Sequence, residues 1–230
     1  NKTTNVAKYF IFINNFGFLL NMNSLINLKK IKLDEKLNVL THFFGLILSV
    51  IGAFFLLKKN IERSLLIANI IYLISLISVF TTSTFYHASQ SKLKYILRKF
   101  DHISIFFLIA GTYTPFCLLT NYYLSGKYYL ILIWAIAIFG CISKIFFFNW
   151  SNKISLILYL VMGWVVIFDI NNIIKFIDFV EMSFLLIGGI LYTIGVFFYK
   201  MEKIKFNHSI WHVFVVLGAL FHYLLIYKLN

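Results

Sequence analysis

His208 and His212 stand four residues apart in the segment His208-Ser-Ile-Trp-His212. On a helix that spacing stacks both imidazoles on one face, one turn apart. This is the geometry by which a helix offers two nitrogens to one metal ion. A third imidazole, His87, closes an apolar run far upstream. Three histidine nitrogens at ~2.0–2.1 Å with an open fourth position form the ligand set of a catalytic zinc site. Zinc lowers the pKa of water in that position to about 7, which makes it a usable nucleophile. Asp101 supplies a carboxylate that could serve as general base or hold the water. Ser83 lies one turn before His87, placed to orient that ligand or to bind a substrate oxygen.

Each of these residues has an ordinary reading when taken alone. An HxxxH pair at a helix end can be interfacial polarity, and His87 can be a solvated helix end. Asp101 can cap a helix N-terminus, which carboxylates do well. The case for a metal rests on all of them falling in one layer of a chain with few intramembrane charges.

The elements that would have to position them are membrane helices. Of the 230 residues, 61% are hydrophobic and only 13% are charged, against roughly 25% charged in a soluble domain. The apolar residues form continuous runs, without the alternation of a β-barrel. A helix needs about 20 apolar residues to cross a ~30 Å hydrocarbon core. The runs predict seven spans, at 38–57, 65–87, 101–120, 128–148, 154–171, 182–199 and 209–228. The fold class is therefore an all-α integral membrane protein, a seven-helix bundle. Short loops make neighbours in sequence antiparallel neighbours in space. Gly188, Gly189, Gly195 and Gly218 are small residues that let helices approach closely. Residues 35–230 form the membrane domain. Residues 1–34 are a leader, with a weak apolar stretch that suits a membrane-surface helix or a targeting remnant.

An up-down chain of seven spans puts the end of the second, the start of the third and the start of the seventh on one face. His87, Asp101, His208 and His212 thus meet whichever way the chain is inserted. Lys and Arg fix the expected direction. Fifteen of the 21 fall on the side of the leader and the second, fourth and sixth loops, and six on the other. The N-terminus and the histidine layer are therefore expected on the cytosolic side. The net charge of +13 lies almost wholly in the gaps between apolar runs. That is the pattern of membrane flanks, which also suit anionic lipid, and no nucleic-acid partner is expected.

The other titratable groups rank lower. His102 points ~100° away from Asp101 and reads as structural. His42 belongs to the same layer and is expected to hydrogen-bond with Glu35 or Asn38. His222 lies roughly 15 Å deeper than His212 and is too far to share its metal. Cys117 and Cys141 form no CxxC and read as buried free thiols.

Four segments carry a resemblance to a known family. They are Glu35-Lys-Leu-Asn38-Val-Leu-Thr41-His42, Ser83-Thr-Phe-Tyr-His87, the segment Asp101 to Pro115 (DHISIFFLIAGTYTP), and His208-Ser-Ile-Trp-His212. Together they resemble the hemolysin III group, which belongs with the progestin and adiponectin receptors (PAQR). That set lies in a wider superfamily of membrane hydrolases that includes alkaline ceramidases. The resemblance implies seven helices with a cytosolic N-terminus, and zinc held by His87, His208 and His212. It implies Asp101 and Ser83 as close supporting residues. It covers nearly the whole chain from residue 35 and leaves the leader uncovered.

Three functions follow as expectations. The first is a zinc-dependent hydrolase of lipid amides, with membrane lipids as surroundings and a lipid as substrate. The second is a pore-forming cytolysin, for which the sequence offers no amphipathic pore-lining stretch. The third is a lipid-sensing receptor with a structural zinc.

Overall fold

The computed structural model describes residues 31–59, 62–120 and 125–230. Seven long helices follow one another: α1 (Leu33–Leu57), α2 (Arg63–Ala88), α3 (Ser91–Leu119), α4 (Ser125–Phe146), α5 (Phe148–Trp164), α6 (Phe179–Lys200) and α7 (Asn207–Leu229). A 3-10 segment, Val165–Asp169, and a helical turn, Ile170–Ile173, prolong α5. No strand occurs among the described residues. All seven helices, the fifth with its prolongation, are long and apolar enough to cross a membrane. The chain is a multi-pass integral membrane protein. The expected leader falls outside the described residues up to residue 30, and Leu33 and Asp34 already belong to α1.

The third span starts earlier than its apolar run. Helix α3 begins at Ser91, ten residues before Asp101, where a loop is expected from the charges. Lys92, Lys94, Arg98 and Lys99 are good helix formers, so the helix continues beyond the apolar core. Asp101 therefore lies in a helix interior. It does not cap the N-terminus of α3.

Helix α1 shows how the bundle is sorted. Its buried positions are Asn38, His42, Gly45, Ser49, Gly52 and Leu56, a stripe repeating at intervals of three and four. Phe43, Phe44, Ile47, Phe54 and Phe55 face outward and are exposed. Small and polar residues line the interior while large apolar ones meet the surroundings, the arrangement that lipid favours.

Neighbours in sequence pack together, except α5 and α6, which touch little, and α1 also packs on α7. Both of those helices begin at the same end of the bundle, so residues 35–42 come to lie beside residues 208–212. Helix α6 starts with a capping box in which Asp178 accepts from the Glu181 backbone and Glu181 accepts from the Asp178 backbone. Gly188 and Gly195 then let α6 lie directly against His222 and Trp211 of α7, as expected of small residues in spans.

The change from α-helix to 3-10 geometry in the fifth span disturbs its backbone ladder. In lipid such groups need partners from within the protein. Tyr113 of α3 provides them. Its hydroxyl donates to the Met162 carbonyl (3.0 Å) and accepts from the Val166 amide (3.1 Å).

Candidate metal centre

Four elements bring polar side chains to one end of the bundle. His87 comes from the last turn of α2, and His208 and His212 from the first two turns of α7. Asp101 comes from α3, and Glu35, Asn38 and His42 from the first turns of α1. The start of α7 is held firmly. Phe206, just before it, adopts a left-handed conformation with φ 60°. For a bulky residue that costs about 1–2 kcal/mol and persists only where the surroundings impose it. The Asn207 side chain donates to the Tyr199 carbonyl at 3.2 Å, tying α7 to the last turn of α6 next to His208.

The three expected ligands converge. His87, His208 and His212 each offer one ring nitrogen within 4.8 Å of the others. Their ring centroids are separated by 5.2 Å (His87–His208), 4.8 Å (His87–His212) and 4.6 Å (His208–His212). Nitrogens around a tetrahedral zinc lie roughly 3.4 Å apart for bonds of 2.0–2.1 Å. Small ring rotations would therefore close the set. His87 and His212 are each only 2% exposed. Yet Nε2 of His87 and Nδ1 of His212 are buried without a hydrogen-bond partner. A buried polar atom left bare costs about 1–3 kcal/mol, a cost that a metal ion would remove. The residues present fit a metal ion.

The orientation of His87 is fixed from the far side of its ring. The Glu35 carboxylate lies 2.6 Å from Nδ1. An ionised carboxylate only accepts, so this contact assigns the hydrogen to Nδ1 and leaves the Nε2 lone pair aimed at the cluster. The other oxygen of Glu35 accepts from Lys94 at 2.7 Å. Asn38 touches the same His87 nitrogen at 3.4 Å and accepts from Ser209 at 2.6 Å. Carboxylate, histidine and metal in line is the usual support of a zinc ligand.

This support differs from the expected one. Glu35 and Asn38 are engaged by His87 and Ser209, so neither serves His42. His42 instead lies against His212, with ring centroids 3.7 Å apart and planes tilted by 43°, and both of its nitrogens are buried without partners. It stands outside the three-histidine group. Glu35 as the partner of His87 was missed from the sequence. Glu35 heads the first family-like segment and falls in the histidine layer, signals that placed it near the site without naming its partner.

Asp101 and Ser83 both face the cavity beneath the histidines. Ser83 is 1% exposed and makes no hydrogen bond of ordinary geometry; its neighbour is the Asp101 carboxyl. Asp101 is half-buried and is not one of the three clustered residues. His102 packs its ring on Phe148 at 5.5 Å and is not one of the three clustered histidines. His222 sits deeper, 3.3 Å from the Leu185 carbonyl.

The cavity has a volume of about 190 Å³. It runs from His208 and Asp101 past Ile105, Ile109 and Val215 to His222 in the middle of α7. Helices α5 and α6 contribute Leu160 and Leu185 to its wall, and these two helices touch each other little. The cavity joins a polar end to an apolar depth.

The chain matches known proteins over most of its length. The model of the family described as "Haemolysin-III related" matches residues 31–223. The chain is similar to "Hemolysin-3" of Bacillus cereus, 38% identical over 190 residues, covering 81% of this chain and 87% of that protein. The "Hemolysin-3 homolog" of Bacillus subtilis (strain 168) is 36% identical over the same share of this chain and 89% of its own length. Human "Monocyte to macrophage differentiation factor" is 29% identical over 205 residues, 85% of this chain and 84% of that protein.

Proposed function

This chain belongs to the haemolysin-III related family, and we propose that it is a zinc-dependent hydrolase of lipid amides with its site at the cytosolic face. One observation carries the proposal. Three histidines bring ring nitrogens together, two of them (on His87 and His212) buried without partners, and an acid outside that cluster stands beside them at the head of an apolar cavity.

Zinc bound by His87, His208 and His212 would supply a Lewis acid for a carbonyl oxygen and a lowered pKa for water. The chain's own groups do the rest. Glu35, backed by Lys94, holds His87 in the tautomer that a metal requires. Ser83, beside the Asp101 carboxyl, is placed to donate to it once substrate fills the cavity. Asp101 takes a proton from water as its oxygen adds to the amide carbon. It returns that proton to the nitrogen as the C–N bond breaks. A fatty acid and an amine leave. The apolar cavity suits an acyl chain, and its wall between α5 and α6 suits a substrate arriving from lipid.

The orientation rests on the fifteen-to-six division of Lys and Arg. The Bacillus relatives carry the name hemolysin, which favours a second reading, lysis by a pore. The buried stripe of α1 packs against α2 and α7 inside one bundle, and the clustered histidines favour the hydrolase of the two. The test is hydrolysis of lipid amides by purified protein. Asp101→Asn is expected to lower turnover by 10²–10⁴-fold, and unchanged turnover would sink the proposal.

A further inference from the structure

Helix α3 steps three charged residues along one face toward the site: Lys94, Arg98 and Asp101, at intervals of four and three. Two of the three have clear employment. Lys94 is bonded to Glu35, and Asp101 lies at the head of the cavity. Arg98, between them, has none of that kind. Among the described residues no ion pair involves it. It is exposed, yet it lines the same cavity as Asp101, His208, Tyr86 and Tyr199. It is a cation at the rim.

Two further cations, Lys99 and the buried Lys144, lie near Arg98. The Arg98 guanidinium lies 5.4 Å from the centre of the Phe148 ring, with Lys144 at 5.1 Å and Lys99 at 5.9 Å from the same ring. The aromatic ring gives Arg98 a platform and leaves its fork of donors free for an acid group. Lys and Arg at helix ends are ordinary in membrane proteins. Arg98 differs from the others, such as exposed Lys92, in opening onto the cavity that holds Asp101.

Arg98 and Asp101 are three positions apart on the helix, a rise of about 4.5 Å. A group held by Arg98 thus lies within a few bonds of a carbonyl held beside Asp101. We propose that the preferred substrate is an acidic lipid amide, with a carboxylate next to the scissile amide as in an N-acyl amino acid, and that Arg98 is its counter-ion. This rests on the lipid-amide reading of the site. It makes Arg98 a specificity-determining residue, and it separates this chain's substrate from neutral amides of the same chain length.

The test measures binding and turnover separately. Binding is read with the Asp101→Asn protein in neutral phosphatidylcholine nanodiscs, using N-oleoylglycine and N-oleoylethanolamine as probes. The acid is expected to bind about tenfold more tightly, the yield of one good charged contact. Adding Arg98→Gln should remove that preference, whereas adding Lys92→Gln should keep it. Equal binding of the two probes would overturn the proposal, and so would a preference that survives Arg98→Gln or falls equally with Lys92→Gln. Turnover by the protein with Asp101 intact tells the two ideas apart. If neither amide is cleaved but the Arg98-dependent preference remains, the hydrolase reading fails and the acid site stands. If both are cleaved equally, with no dependence on Arg98, the acid site fails and the hydrolase stands.

Discussion

Glu35 and His87 meet 2.6 Å apart across 52 residues of sequence, joining the first turn of α1 to the last turn of α2. The contact settles which nitrogen of His87 is free. Glu35→Gln keeps the shape but replaces a charged acceptor with a neutral one. It is expected to weaken zinc binding by about 10–100-fold, read by competition with a chromogenic chelator. Lys94→Gln, one step further out, should weaken it less. Equal affinity in Glu35→Gln and the parent protein would remove Glu35 from the metal's support.

Tyr113 stabilises the change of helix type in the fifth span. Tyr113→Phe leaves the Val166 amide and one lone pair of the Met162 carbonyl without that partner in a buried setting. The expected cost is about 1–3 kcal/mol, seen as a lower unfolding temperature in detergent. A Tm equal to that of the parent would mean that the backbone there finds other partners.

Much of this was legible in the sequence, and the reasons differ by element. The seven apolar runs are set by the bilayer's thickness, so their number and approximate ends could be read directly. Parity then placed His87, Asp101, His208 and His212 on one face, because an up-down chain leaves no alternative. What parity cannot supply is the rotation of each helix about its axis. That rotation decides that Glu35 serves His87 and not His42, and no run of hydropathy encodes a contact between two helices. The start of α3 was hidden for another reason. Its first turns are held by helix propensity outside the apolar core, where Lys and Arg look like a loop.

The proposed orientation predicts a simple labelling pattern. A tag at residue 1 should be protected in intact cells, and a cysteine replacing Lys58, in the first loop, should react with an impermeant maleimide. The reverse pattern would place the histidine layer on the outer side.

The hydrolase and pore readings part on leakage. Purified protein in liposomes is expected to release neither small nor large trapped dyes, with or without a chelator. Size-limited release that persists after zinc removal would favour the pore.

The central claim is that His87, His208 and His212 hold one zinc ion. The most direct measurement is zinc per chain, by plasma mass spectrometry of protein purified in detergent without added chelator. The account predicts about one zinc in the parent protein and in His222→Ala, whose ring lies deeper in the cavity. It predicts near-complete loss in His208→Ala. A parent protein without zinc, or zinc retained in full by His208→Ala, would contradict it.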